Sequence, residues 1–307
     1  MAGPLVTPLR TLKRERYDRR LKADVSSRDM SALLRYLVLA VLAGASVTAC
    51  TPAPSVPPAA SPSSAPVFPS GPLVDLSHAY DSETIVWPTS EHFRLEKVAD
   101  GVTEQGYYYA ANNFFSAEHG GTHIDAPIHF AKGRRTVDQI PLDQLTGAGI
   151  VVDVSTAAER DADYQIAIAD FERWEQVNGR IPDRGIVLLR TGFSNRWPDA
   201  VRYLGTSERG AAAVAKLHFP GLHPDAARWL VENRSIDAIG IDTASIDRGQ
   251  STQYESHRIL TEREIPAFEN LTNLDRLPAV GASIVALPMK IGGGSGGPLR
   301  AIAILPR

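Results

Sequence analysis

The run HGGTHIDAPIHF, from His119 to Phe130, sets the tightest limit on how this chain folds. It packs three imidazoles and a carboxylate into eleven residues together with two glycines and a proline. Gly120 and Gly121 let the backbone bend or approach another group closely, and Pro127 stops a regular helix from running through the segment. His119 and His123 are four residues apart and Asp125 follows two later, so a short length of backbone aims two neutral nitrogens and a hard oxygen at one point. His129 lies just beyond the proline. A lone pair of histidines at this spacing is commonly a surface feature or a satisfied core pair; Asp125 and His129 in the same span make a metal site the better reading.

A second group of candidates lies downstream in IGIDTASIDRGQSTQYESHRILTEREIPAFENL. His257 and Glu269 would complete such a site, although each by itself reads equally as a surface charge. Asp242 and Asp247 are either partners that orient a ligand histidine or caps of turns. His78 lies in VDLSHAY, while His92, His218 and His223 have no ligand-type neighbours and read as surface or packing residues.

The long motif, His257 and the Glu269 twelve residues beyond it together resemble the bacterial kynurenine formamidase and cyclase family, which includes isatin hydrolases. The resemblance runs from about Leu73 to the C-terminus and takes in VDLSHAY, the Trp87-Pro88 pair, GIDTASID and the terminal glycine-rich stretch. It implies a single swivelling β/β/α domain. It also implies one divalent ion on His119, His123 and Asp125 and a second on Asp125, His257 and Glu269, with Asp125 bridging them. Some relatives use a single ion, and zinc and manganese both suit the donors. His129 takes the family's proton-transfer position, Trp87 the position of an aromatic residue bounding the substrate pocket, and the assembly implied is a homodimer or homotetramer. Trp87 reads equally well as a core aromatic.

A divalent ion lowers the pKa of bound water from about 15.7 to about 7 and polarises a carbonyl oxygen. The expected activity is therefore metal-dependent hydrolysis of a formamide, aryl amide or lactam, with His129 protonating the departing nitrogen. N-formylkynurenine is the lead substrate and an isatin-type lactam or a lactone the alternative. A reading of another class is a lipid-anchored protein that binds a metal or solute without turning it over.

Strand-like apolar runs occur at LVDLS, GIVVDVS, GIVLLRTG, AIGIDTAS and SIVALPMKI. Helical patterns lie between them, at Ala169 to Val177, with Phe171, Trp174 and Val177 at three-residue spacing, and at HPDAARWLVENR, where Pro224 suits a first turn. The alternation predicts an α/β fold. IGGGSGGPLRAIAIL lacks the Lys-Ser/Thr ending of a phosphate-binding loop; it reads as a turn between strands or as a close approach to the site. Sequence from Ser194 to Gly221 exceeds a minimal formamidase and is expected to reshape the pocket. With a net charge of −3 and no basic stripe, nucleic-acid binding is not expected.

Residues 1–49 read as a basic leader and a lipoprotein signal peptide, with Met30 an alternative translation start. The apolar stretch Leu33 to Ala49 is short for a membrane span, and Val47-Thr48-Ala49-Cys50 resembles a lipobox. Cys50 is the only cysteine, so no disulfide forms within one chain. Residues 50–72, rich in Pro, Ala and Ser, read as a tether, and 73–307 as the hydrolase domain. The expected location is outside the cytoplasm, anchored to the membrane through lipidated Cys50, which departs from the cytoplasmic setting usual for kynurenine breakdown.

Overall fold

Three of the predicted strands are continuous apolar runs because both of their faces are buried. They are β5 (Thr146–Asp153), β7 (Ile186–Arg190) and β9 (Ala238–Ile241). The computed structural model describes residues 71–307. The leader, the signal, Cys50 and the tether up to residue 70 lie outside the described residues. The other strands are β1 (Leu73–Asp75), β2 (Arg94–Val102), β3 (Tyr108–Phe115), β4 (His123–Asp125), β6 (Gln165–Ile166), β8 (Gly221–Leu222), β10 (Ala267–Glu269), β11 (Ala282–Pro288) and β12 (Gly296–Ile304).

The main sheet runs β1-β12-β11-β5-β7-β9-β10-β4, and β4 also pairs with β12, which closes seven of the strands into a barrel. Strands β5, β7, β9 and β10 are parallel, and β11, β12 and β4 join antiparallel. Successive side chains alternate between two cores. Val151, Ile186, Leu188 and Phe268 point into one, whereas Ile150, Val152, Val187, Leu189 and Ile239 point into the other, beneath the helices. Full burial of such a side chain stabilises the fold by about 1.5–3 kcal/mol.

The helical layer contains α1 (Ser155–Arg160), α2 (Ile168–Asn178), α3 (Ala200–Leu204), α4 (Pro224–Asn233) and α5 (Glu255–Glu262). In α2, Phe171 and Trp174 are buried and the Trp174 indole donates to the Val151 carbonyl at 2.8 Å. Val177 does not share that face and is 81% exposed; six residues from Phe171 leave it about a third of a turn away. Pro224 occupies the first turn of α4 as expected, and His223 caps that helix by accepting from the Asp225 amide at 3.1 Å. Among the described residues, no helix is long and apolar enough to cross a membrane.

β2 and β3 form a separate hairpin that the apolar pattern did not reveal. Leu95, Val102, Tyr108, Tyr109 and Phe114 are all more than half exposed on it.

Candidate active site

Strand register brings the first part of the site together. In β4, His123 and Asp125 are two residues apart and share a face, while Ile124 between them points into the barrel core. Antiparallel pairing sets Glu269 of β10 opposite His123 and Ala267 opposite Asp125. On its other edge β4 pairs with Gly296, Gly297 and Pro298 of β12. His123, Asp125 and Glu269 are all buried.

His257 arrives from α5. Asp247 accepts from the backbone amides of Ser256 and His257, both at 3.1 Å, and its Oδ2 lies 2.6 Å from His257 Nδ1. One carboxylate thus caps the helix and fixes the direction of the ring. His257 Nε2 is left 2.9 Å from Asp125 Oδ2 and 3.0 Å from Glu269 Oε1. Tyr254, just before α5, holds a left-handed backbone with φ of 48°.

Asp125 is the hub. Its Oδ1 lies 2.6 Å from His119 Nδ1 and 3.2 Å from His123 Nε2, while Oδ2 faces His257 and, at 3.9 Å, His129 Nε2. Glu269 likewise straddles the cluster, with Oε2 3.4 Å from His123 and Oε1 beside His257. His129 ends a short 3-10 turn over Pro127–His129 and stacks on His119 with ring centroids 3.8 Å apart. Every ligand candidate and His129 therefore meet in one cluster. The compact triads are His119, Asp125 and His129, and His123, Asp125 and Glu269, a grouping that cuts across the two ligand sets implied by the resemblance.

The electrostatics fit a divalent ion. Burial disfavours a charge on His123, but the carboxylates of Asp125 and Glu269 override it and raise its pKa to about 10. His257 is buried too, and Asp125, Asp247 and Glu269 hold its pKa well above the usual imidazole value. Burial would raise Asp125, yet the surrounding histidines keep it well below the usual carboxylate range. Two protons on His123 and His257 thus supply the same +2 that one divalent ion would bring. His123 Nε2 is buried without an aligned hydrogen bond, although two carboxylate oxygens stand within 3.4 Å; an inward-facing nitrogen of this kind suits a ligand.

Because an ion must displace those protons, protein stripped of metal should release about two protons on binding zinc or manganese at neutral pH, and affinity should rise with pH. Calorimetry in two buffers of different ionisation enthalpy reads this directly; a heat independent of buffer would contradict it. Asp247→Asn should weaken metal affinity by about 10–100-fold, as for other residues that orient a ligand. Competition with a chromophoric chelator measures the change, and an unaltered affinity would remove Asp247 from this role.

The glycine-rich stretch is both a turn and part of the site. A Cβ on Gly296 would come within 2.4 Å of the Ile124 carbonyl oxygen and 2.6 Å of the His119 ring, so only glycine lets β12 pass this close. Ser295 Oγ lies 2.9 Å from His119 Nε2 and donates to Glu118 at 2.6 Å. Gly121, with φ of 61°, supplies the bend that the motif requires, and its carbonyl lies 2.9 Å from His123 Nδ1.

The cluster floors a cavity of about 310 Å³ whose walls include Trp87, Phe130 and Tyr254. Their size and apolar faces form a slot for a flat ligand. Burial lowers the His129 pKa to about 4, with the neighbouring Asp125 only partly opposing it, so this ring is neutral in the physiological range.

Other candidates take different places. Asp242 does not reach a histidine; it accepts from the Thr191 amide at 2.7 Å and the Gly192 amide at 2.8 Å, capping the turn after β7. His78 stacks on Trp197 with centroids 4.1 Å apart, near the motif but outside the cavity. His218 pairs with Asp163 at 2.8 Å. The segment from Ser194 to Gly221 lines none of this cavity, contrary to expectation, and instead backs it: Phe219 meets the Trp87 ring edge-on at 6.4 Å. Tyr254 and Ser295 went unrecognised in the sequence; Tyr254 lies three residues from His257, and Ser295 is the one polar side chain within the glycine run.

The closed barrel thus carries an acid and imidazole cluster whose donors suit a divalent ion. Residues 74–248 match the family model for Cyclase, described as "Putative cyclase", and the chain belongs to that family. An isatin hydrolase from Roseibium aggregatum is 31% identical over 210 residues, covering 66% of this chain and 77% of its own. A kynurenine formamidase from Salinibacter ruber is 28% identical over 232 residues, covering 75% and 96%. Among solved structures, isatin hydrolase A from Labrenzia aggregata bound to benzyl benzoate superimposes with a TM-score of 0.70 at 33% identity, over 77% of this chain and 94% of that one. The fold is thus a mixed α/β domain similar to that of isatin hydrolase, in keeping with the swivelling β/β/α domain that the resemblance implied, and its main sheet closes into a barrel.

Proposed function

We propose that this protein hydrolyses the carbonyl C–N bond of a small aryl formamide, amide or lactam. The observation that carries this reading is the aromatic slot of Trp87, Phe130 and Tyr254 opening directly onto the carboxylate and imidazole cluster. His119, His123, Asp125, His257 and Glu269 would hold one or two divalent ions, zinc or manganese. When bound, such an ion supplies a Lewis acid for the carbonyl oxygen and makes water a nucleophile near neutral pH.

The chain's own groups do the rest. The slot stacks the aryl ring and points the carbonyl at the cluster. His129, neutral and beside Asp125, accepts a proton from the attacking water. It then delivers that proton to the nitrogen as the C–N bond breaks, so one imidazole serves both halves of the reaction. Asp247 keeps His257 aimed at the centre throughout.

N-formylkynurenine and isatin, offered side by side to the metal-loaded protein, distinguish the two branches of the proposal. Deformylation of the first supports the formamidase reading, and ring opening of the second supports the isatin-type reading, whose substrate is named for relatives at 31–33% identity. Metal-loaded protein that turns over neither would contradict both.

The assembly we propose is a homodimer or homotetramer. The β2–β3 hairpin supports it, since a two-stranded ribbon with apolar groups exposed is marginal in water without a partner. Anchorage outside the cytoplasm through a lipid on Cys50 rests on the lipobox-like sequence. Cys50→Ala is expected to release the protein from membranes; unchanged detergent-dependent behaviour would count against the anchor.

A further inference from the structure

The wall segment from Val86 to Ser90 supplies Trp87 and Ser90 to the substrate cavity, yet it has little backbone structure of its own. Pro88 has no amide proton, and the one local hydrogen bond runs from the Ser90 amide to the Trp87 carbonyl at 2.9 Å. On its inner side Val86 pairs with Gly120 of the motif. What fastens its outer side comes from the segment between Ser194 and Gly221. The Arg209 guanidinium donates to the Val86 carbonyl at 3.4 Å and to the Ser90 carbonyl, and the Gly210 amide donates to the Pro88 carbonyl at 2.9 Å. Three alternate carbonyls of the wall are thus held by two consecutive residues.

Arg209 has no carboxylate partner among the described residues. Its neighbour Glu208 is paired with Lys216 instead. The fork of donors on Arg209 is therefore directed at main-chain carbonyls, a geometry that a planar guanidinium serves better than an ammonium. Behind the wall lies a second cavity of about 380 Å³, bordered by Val86, Pro88, Leu204 and Arg209. The wall has open space on that side, and Arg209 borders it.

We infer that Arg209 is a positioning residue which holds the Trp87 wall forward and so sets the width of the substrate slot, making the Ser194 to Gly221 segment a determinant of specificity that never touches the substrate. This rests on reading the Trp87 cavity as the substrate site. The wall is carried on a loop, whereas His123, Asp125 and Glu269 sit on strands, His257 on α5 and His129 on a 3-10 turn, so a displaced wall weakens binding of the aryl ring while leaving the cluster in place.

The test compares wild type, Arg209→Ala and Arg209→Lys by two readouts. In kinetics with whichever aryl substrate the wild type accepts, Arg209→Ala should raise KM by about tenfold with kcat within about twofold and metal content unchanged, and Arg209→Lys should recover part of the loss. In acrylamide quenching, the fluorescence component lost in Trp87→Phe should become more accessible in Arg209→Ala. The second readout needs no substrate, so it decides the positioning role even where the proposed hydrolysis fails. Unchanged quenching and KM in Arg209→Ala would overturn the inference, as would a joint fall in kcat and metal content, which marks general damage rather than a moved wall.

Discussion

Asp125→Ala is expected to remove metal binding and to lower kcat/KM by at least about a thousandfold, equivalent to about 4 kcal/mol of transition-state stabilisation. The expectation follows from position. Both carboxylate oxygens of Asp125 are engaged, Oδ1 with His119 and His123 and Oδ2 with His257, so no other single side chain touches as much of the cluster. It is buried, and of the other carboxylates Glu269 alone reaches both His123 and the inward nitrogen of His257. Removing Asp125 leaves Glu269 as the one carboxylate shared by the inward nitrogens of His123 and His257, with Asp247 still held on the far nitrogen of His257. Metal analysis of the purified variant, read beside its turnover, checks the result. A variant that keeps stoichiometric metal and activity within tenfold of wild type would refute the hub role.

His129→Ala should behave differently. Turnover should fall by about 10²–10⁴-fold, the usual contribution of a positioned acid–base group, while metal content stays at the wild-type level. His129 lies at the margin of the cluster, 3.9 Å from the Asp125 carboxylate and stacked on His119, and burial keeps it neutral at physiological pH. A neutral imidazole at that place is suited to accept a proton and pass it on. Loss of metal together with activity would make His129 a ligand instead, which its compact triad with His119 and Asp125 also permits geometrically. Turnover within a few-fold of wild type with metal intact would dismiss the proton-transfer role.

The strands that could be read in the sequence are those whose two faces feed two cores. β5, β7 and β9 carry Ile, Val and Leu at successive positions because alternate residues face the barrel interior and the helices. β4 and β10 were not readable as strands. Each has three residues, and His123, Asp125 and Glu269 occupy the positions that a pattern search expects to be apolar. Composition alone marked these residues as chemical, but their convergence depends on the antiparallel register that sets Glu269 opposite His123, a long-range fact. Asp242 and Asp247 show the same limit. Five residues apart in one segment, they were open to the same two readings; the first faces the amides after β7 and the second faces α5. The hairpin of β2 and β3 escaped notice because its exposed faces mix Tyr, Phe and Val with charged and amide residues, so no periodic stripe survives.

Metal-dependent hydrolysis is tested by stripping the purified protein of metal, reloading it with manganese or zinc, and following N-formylkynurenine and isatin in parallel. The stripped protein should turn over neither, and activity should return with one or two bound ions per chain. Equal turnover with and without metal, or tight metal loading with no hydrolysis of any aryl formamide, amide or lactam, would contradict that activity.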